Sequence, residues 1–286
     1  AVNPTRILDT RNGTGISNGP IRIGDGSQSS TNPIFRADDK ANHDLQVTGV
    51  AGIPTSGVSA VLLNVTAVEP PTSGYITVGP RPAGTGDVFN DQFTYGAWPN
   101  ASNLNTQPGQ TVPNLVLARV GAGGKIRLYN FNYPTHMVAD VAGWFDTSAL
   151  TSTSRGSAFY GVPPQRLLDT RNGIGEASAV SGGKFAPLDS RTFTVADIAG
   201  VPNNVESVVL NITAVSPTGT GWVTAYPDNT TRPDASNLNL NPGSDRSNLA
   251  VVKVGSNGKI RLFVAEAGTH LIVDVFGYFK TTTGAE

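Results

Sequence analysis

The sequence predicts an all-β protein built from two tandem homologous antiparallel β-sandwich domains with a jelly-roll-like arrangement of strands. Three observations predict this fold. The chain repeats itself once over about 140 residues, apolar residues alternate with period two, and turn residues separate short strand-like runs. No segment shows the pattern of an amphipathic helix longer than two turns. A repeat of about 140 residues has the size of a domain rather than of a solenoid unit.

Five motifs recur in the same order and define the repeat. Eight of the ten residues of Arg6–Gly15 are identical in Arg166–Gly175, and Gly124–Leu128 returns unchanged as Gly258–Leu262. The other recurring segments are Leu63–Val68 with Leu210–Val215, Ala101–Asn105 with Ala235–Asn239, and Thr135–Phe145 with Thr269–Phe279. The two copies are therefore homologous over almost their whole length.

The motifs set the predicted domain boundaries. Repeat one spans 1–147, a linker spans 148–164 and repeat two spans 165–286. The linker is rich in Ser and Thr and ends in Pro163-Pro164, a composition typical of an extended connection. Repeat one carries two insertions, about 12 residues within 21–42 and 13 residues at 86–98.

Strand-like runs follow the same order in both copies. Val61, Leu63 and Val65 alternate with residues that would face the other side of a strand. The remaining runs of repeat one are Arg6–Thr10, Asp44–Thr48, Gly74–Val78, Thr111–Val120, Lys125–Asn130 and His136–Phe145. Seven to nine short strands separated by turn residues predict a sandwich or a barrel.

Composition excludes several classes of function. The 286 residues include 20 basic and 21 acidic side chains, and this net charge of −1 gives no electrostatic footprint for nucleic acid or an anionic membrane. The absence of cysteine excludes disulfides, thiolate metal sites and thiol nucleophiles. Low charge, abundant Thr and Asn, and a start at Ala1 rather than Met favour a secreted or surface-displayed protein.

An aspartate and an arginine recur two residues apart, as Asp9 with Arg11 and as Asp169 with Arg171. Residues i and i+2 of a strand leave the same face, so each carboxylate and guanidinium are expected to pair. We interpret both as structural polar pairs, because both copies retain them although the copies differ at about half of their positions.

A catalytic alternative uses the aspartate of the last predicted strand. Asp9 with Asp140 could form the carboxylate pair of a glycoside hydrolase, which needs two acids about 5–10 Å apart. We favour a structural role for Asp140 and its counterpart Asp274 as well. A single active site would require the aspartate in only one repeat, whereas both repeats have it. The sequence therefore predicts no catalytic residue and no enzyme.

Asparagines form a second recurring set. We interpret them as amides that tie down loops, with glycan binding as the alternative, because buried polar groups need partners. Asn64 and Asn211 begin N-glycosylation patterns that lie inside predicted strands, and we discount them. The four pairs are Asn64/Asn211, Asn103/Asn237, Asn105/Asn239 and Asn114/Asn248.

The sequence predicts no metal and no cofactor. His136 and His270 occupy equivalent positions without the second ligands that a zinc site needs. Asp38-Asp39 and Asp87 with Asp91 do not match a calcium loop, so calcium binding is left open. Phosphate-binding and nucleophile-elbow motifs are absent from the sequence.

The insertion at 86–98 is the most informative segment for function. Four of its 13 residues are aromatic: Phe89, Phe93, Tyr95 and Trp98. Repeat two lacks the segment, so the shared fold does not need it. Aromatic side chains are enriched at interfaces, and we favour docking against another subunit over self-packing.

Together the R-[IL]-L-D-T-R start, the N-[VI]-T-A-V strand, the S-N-L-N stretch and the D-V-x-G-[WY]-F ending resemble a known family. They resemble the tandem "LDTR" β-domains of secreted and surface proteins from actinobacteria and other filamentous bacteria. The resemblance covers nearly the whole chain. It implies an extracellular accessory or structural role and supplies no catalytic residues.

Two hypotheses follow. The first is a non-enzymatic structural or adhesive surface protein that self-associates, head to tail, into a filament or array. The alternative is a pair of carbohydrate-binding modules that use Trp98 or Trp222 as stacking platforms. The expected partners are other copies of the chain or glycans, without nucleic acid and without membrane insertion.

Overall fold

The computed structural model describes residues 1–17, 20–23, 42–83, 102–131, 134–147, 156–175 and 183–281. These residues form sixteen β-strands and one short 3-10 turn at Ala122–Gly124. The all-β prediction is therefore confirmed. Among the same residues, no helix has the length and hydrophobicity to cross a membrane.

The chain divides into two compact units. One unit is Arg6–Phe145, and the other is Asp146–Glu286 together with Ala1–Thr5. The division falls next to the boundary predicted after residue 147.

The described residues of repeat one form eight strands in two four-stranded sheets. One sheet has the order β1-β8-β3-β6 and the other has the order β2-β7-β4-β5. The strands are β1 (Thr5–Asp9), β2 (Asn42–Gln46), β3 (Val58–Val68), β4 (Gly74–Pro80), β5 (Leu104–Thr106), β6 (Val112–Arg119), β7 (Lys125–Phe131) and β8 (His136–Asp146).

Repeat two has the same topology. Its sheets are β9-β16-β11-β14 and β10-β15-β12-β13, so both repeats pair their eight strands as 1-8-3-6 and 2-7-4-5. This pairing is that of a jelly roll, as predicted. The strands are β9 (Ser157–Asp169), β10 (Ser190–Thr194), β11 (Ser207–Val215), β12 (Gly221–Pro227), β13 (Leu238–Leu240), β14 (Arg246–Lys253), β15 (Lys259–Ala265) and β16 (His270–Thr281).

The core of repeat two lies between its two sheets. Leu210 of β11 and Val273 of β16 meet Val223 of β12 and Leu262 of β15 in one cluster. In repeat one, Val61, Leu63 and Val65 have no exposed surface, which confirms the alternation predicted for β3. Burial of these faces is the main favourable contribution to folding.

The predicted linker 148–164 differs from the structure. Strand β9 begins at Ser157, and its first residues pair with the end of β16, where Ser157 lies opposite Thr281. Two ring contacts hold this extension. The centroids of Phe159 and Phe279 are 5.3 Å apart, and those of Tyr160 and Tyr278 are also 5.3 Å apart.

A glycine in β16 and two prolines in β9 accommodate this extension of the sheet. A Cβ at Gly277 would lie 2.5 Å from the Phe159 ring, so only glycine leaves room for that ring. Pro163-Pro164 fall where the register between β9 and β16 shifts, between Val275 and Gly277. Prolines cannot donate to a ladder and are tolerated at such irregularities. Composition alone does not distinguish this strand from a linker.

Candidate functional site

The recurring Asp-Arg motif forms a tight turn after the first strand of each repeat. In repeat one, the Asp9 carboxylate accepts hydrogen bonds from the Arg11 backbone N–H at 3.0 Å and from Nε of the same arginine at 2.9 Å. Its second oxygen lies 2.7 Å from Arg11 Nη2. The Asp9 backbone carbonyl also accepts the N–H of Gly13 at 3.0 Å. The carboxylate therefore holds the turn closed.

The same geometry is present in repeat two. The Asp169 side chain has no exposed surface and makes the same three bonds to Arg171, at 3.0, 2.9 and 2.7 Å. Hydrogen bonds from Arg171 lower the pKa of the Asp169 carboxyl to about 2, against the opposing effect of burial. Charge-assisted bidentate pairs of this kind are among the stronger interactions in proteins.

The last strand joins this cluster through a second arginine. Arg6 donates to both Asp140 oxygens, at 2.9 and 3.3 Å, and its Nη1 lies 3.6 Å from Asp9 Oδ2. In repeat two, Arg166 bridges Asp274 and Asp169 in the same way.

This arrangement does not favour a glycosidase. Although burial opposes ionisation of Asp9, its bonds to Arg11 lower its pKa below the ordinary value. A general acid needs a raised pKa near neutral pH. Arg6 also lies between Asp9 and Asp140, the two carboxylates that would act on a substrate.

A threonine and a histidine complete the turn. Thr10 Oγ1 accepts the Met137 backbone N–H at 2.9 Å and lies 3.1 Å from Nδ1 of His136. Arg22 Nε donates to His136 Nε2 at 3.4 Å, so we assign the proton of the neutral ring to Nδ1. Thr170 contacts Leu271 and His270 in the same way. The recurring histidines therefore link the turn to the last strand.

The two histidines predict a pH dependence of stability. Burial and the neighbouring cations Arg22 and Lys184 lower the pKa values of His136 and His270 below 6.5. The neutral rings therefore contribute stability that is fully present above pH 6.5 and is lost as the pH falls below that value. We expect the melting temperature to decline between pH 6.5 and pH 5, and to decline less in the double variant His136→Asn/His270→Asn. Equal declines in thermal scans of both proteins would contradict this assignment.

Members of two recurring asparagine pairs hold the loop between the fourth and fifth strands. Asn237 Oδ1 accepts the Ala225 N–H at 2.7 Å, and Asn248 Nδ2 donates to the Asn237 carbonyl at 2.7 Å. Asn103 accepts the Val78 N–H at 2.8 Å in the same manner. These amides anchor the loop that precedes β5 and β13.

Trp222 lies on the outer face of the sheet β10-β15-β12-β13. Its register neighbours are Asn239 on β13 and Ala265 on β15. The indole is partly buried and packs against a cluster formed by Tyr226, Phe263 and Ala265. The outer face of this sheet therefore presents an aromatic side chain that packs against its neighbours on that face and is partly open to solvent.

Two further side chains belong to this face, Asn239 next to Trp222 in the register and Arg232 over Phe263. The guanidinium of Arg232 stacks over the Phe263 ring, with Cζ 3.8 Å from the ring centroid. The Asn239 side chain is part-exposed, and its Oδ1 is buried without a hydrogen-bond partner among the described residues. Trp222, Asn239 and Arg232 together are the candidate site.

The loop 228–237 places Arg232 on this face. Thr224 on the same face donates to the Ala235 carbonyl at 2.6 Å, which fixes the end of the loop against the sheet. Sequence reasoning named Trp222 but missed Arg232. With the insertion at 86–98, the residue of repeat one that aligns with Arg232 is Thr85, which gives no signal for a binding role.

The predicted docking residues Phe89, Phe93, Tyr95 and Trp98 lie outside the described residues, and docking stays a prediction. The acidic pairs Asp38-Asp39 and Asp87 with Asp91 also lie outside the described residues. In the part of the chain that the structure describes, no group of three His, Asp or Glu side chains is placed to hold a metal ion.

Comparison with known proteins adds little to this description. No protein-family model matches the sequence, and no curated protein matches it. A similar solved structure is the N-terminal CBM22-1–CBM22-2 tandem domain of Xyn10C from Paenibacillus barcinonensis, at 10% identity over 99% of both chains with a TM-score of 0.22. Another is the ANXUR1 extracellular domain from Arabidopsis thaliana, at 8% identity over 82% of this chain and 81% of that chain, with a TM-score of 0.19. Scores this low carry no inference about function.

Proposed function

We propose that the protein is a non-catalytic extracellular pair of β-domains that binds carbohydrate through the outer face of the second sheet of repeat two. The observation that carries the proposal is the partly exposed Trp222, which packs against Tyr226, Phe263 and Ala265 on the same face. A flat aromatic ring with a fixed orientation can stack on the apolar face of a sugar at little cost in side-chain entropy.

Polar groups beside the ring support the same interpretation. The unpartnered Asn239 Oδ1 lies next to Trp222 in the register, and a small reorientation of the part-exposed amide would present it to a sugar hydroxyl. Aromatic platforms with a few convergent polar groups are typical of small-ligand sites. The carboxylates of the Asp-Arg turns, in contrast, are already paired with arginine, which supports a binding function over hydrolysis.

Replacing the stacking ring tests the proposal. We expect Trp222→Ala to weaken binding to a responsive polysaccharide by at least tenfold, since the loss of a ring contact of about 1.4 kcal/mol corresponds to that factor. Binding is measured by isothermal titration calorimetry against a panel of soluble plant and microbial polysaccharides.

The matched control is Trp144→Tyr in repeat one, because Tyr278 occupies the equivalent position in repeat two. This variant should bind like the wild type. A Trp222→Ala protein that melts normally and binds every polysaccharide as the wild type does would refute the proposal.

Self-association is the second candidate function. The aromatic insertion at 86–98 lies between β4 and β5, and the equivalent loop of repeat two packs on the outer face of its sheet. The position of the insertion between these two strands and its four aromatic residues support a binding role for it. The structure describes none of the four aromatic residues, so the candidate rests on their sequence and on the strands that flank them.

A further inference from the structure

We infer that the sugar bound at Trp222 carries a carboxylate, as a uronic acid does, and that Arg232 is the residue that recognises it. The inference rests on the proposed function and specifies its substrate class. It depends on the position of Arg232, on its lack of an acidic partner and on the geometry of the guanidinium group.

The position follows from the strand register. Ala265 lies opposite Trp222, and Phe263, which carries the Arg232 guanidinium, lies opposite Thr224. Residues two apart on a strand are separated by about 7 Å and share a face. The guanidinium therefore lies over a ring of the same cluster against which the indole packs.

The charge of Arg232 is not neutralised as the charges of other arginines in repeat two are. Arg166, Arg171, Arg191 and Arg261 each form an ion pair with an aspartate, at N···O distances between 2.7 and 2.9 Å. Arg232 is exposed and, within the described residues, makes no ion pair or hydrogen bond. Its N–H donors are therefore available to a ligand.

The two aspartates of the loop 228–237 do not cancel this charge. Asp228, at the start of the same loop, is bound by Arg261 at 2.8 Å and by Asn257 at 2.8 Å. Asp234 has a partner of its own. Neither aspartate of this loop therefore neutralises Arg232.

The geometry favours a carboxylate. A guanidinium is planar and presents parallel donors that match the two oxygens of a carboxylate. Stacking on Phe263 fixes the plane before a ligand arrives, which lowers the entropic cost of binding. With the insertion at 86–98, repeat one has Thr85 at the aligned position, so this selectivity belongs to repeat two.

The experiment compares uronate oligosaccharides with their carboxyl-reduced forms, which differ only in that group. Galacturonate, glucuronate and mannuronate oligomers are titrated into the full-length protein at low and high salt. We expect at least one acidic form to bind about tenfold tighter than its reduced form, and this preference to shrink as salt is added. Sulfated oligosaccharides are titrated in parallel, and we expect weaker binding to them than to the uronate.

The variant Arg232→Gln should remove the preference, so that it binds the acidic and the reduced forms with equal affinity. Arg232→Lys should retain part of the preference for the acidic form. Lys253→Gln removes an exposed positive charge from the other sheet and should leave the preference intact.

The outcomes separate this inference from the proposed function. Equal binding of acidic and reduced forms, binding to neutral sugars alone, or a preference retained by Arg232→Gln would overturn the carboxylate assignment. Stronger binding to the sulfated oligomers would overturn it in favour of a general anion site. Tight binding that is unaffected by Trp222→Ala would instead overturn the proposed site.

Discussion

Asp169→Asn is expected to destabilise repeat two by about 3 kcal/mol, because the change leaves Arg171 and Arg166 beside a neutral amide in a buried site. The carboxylate accepts three bonds from Arg171 and one from Arg166 at 3.2 Å. An amide keeps one acceptor oxygen and turns a donor NH2 group towards a donor guanidinium. A loss of this size should lower the melting temperature by about 10 °C.

The pH dependence provides a second readout. The pKa of Asp169 is about 2 in the folded state and 3.8 ordinarily, so its ionised form contributes stability that is present above pH 3.8 and is lost between pH 3.8 and about 2. The variant should lack this part of the acid transition. Asp197→Asn is the control, because Asp197 is exposed and has a φ of 62° that asparagine also adopts. A variant as stable as the wild type that loses a measurable hydrolase activity would show that Asp169 is catalytic.

Deletion of Gly86–Trp98 is expected to abolish self-association while repeat one remains folded. The insertion contributes four aromatic residues that the fold of repeat two does without. Contiguous apolar groups on the surface of a protein commonly mark interaction sites. The state of assembly is measured by sedimentation velocity and by negative-stain electron microscopy of the native protein and the deletion variant.

The control for the deletion replaces only the four rings, as Phe89→Ser, Phe93→Ser, Tyr95→Ser and Trp98→Ser, and keeps the length of the loop. Both variants should sediment as monomers with an unchanged far-UV circular dichroism spectrum. Full assembly by either variant would refute the docking role. Loss of folding in both would show that the rings cover repeat one itself.

Much of the fold could be predicted because local pattern and burial agree. In β3, the predicted inner residues Val61, Leu63 and Val65 are all buried. Asn64 and Thr66 are also buried, at 3% and 2% exposure, which alternation alone does not predict. Strand β5 contains three residues, Leu104–Thr106, too few to show a period.

The candidate site was less predictable than the fold. Trp222 is conspicuous in the sequence because tryptophan is rare, and the motif containing Asn239 recurs. Arg232 occupies a loop without periodicity, and only the folded chain brings it over Phe263, 31 residues later in the sequence. Contacts of this kind depend on the strand order β10-β15-β12-β13, which joins strands that are distant in the chain.

The pairing of the first strand with the last determines how repeat two responds to mechanical force. Ser157 at the start of β9 lies opposite Thr281 at the end of β16. A pull on the two ends of this domain would therefore break the hydrogen bonds between β9 and β16 one after another rather than shear them all together. The first obstacle to opening is the pair of ring contacts between Phe159 and Phe279 and between Tyr160 and Tyr278. These aromatic pairs resist separation of β9 from β16 at the point where the force is applied. Phe159→Ala should therefore lower the force at which repeat two unfolds in single-molecule stretching.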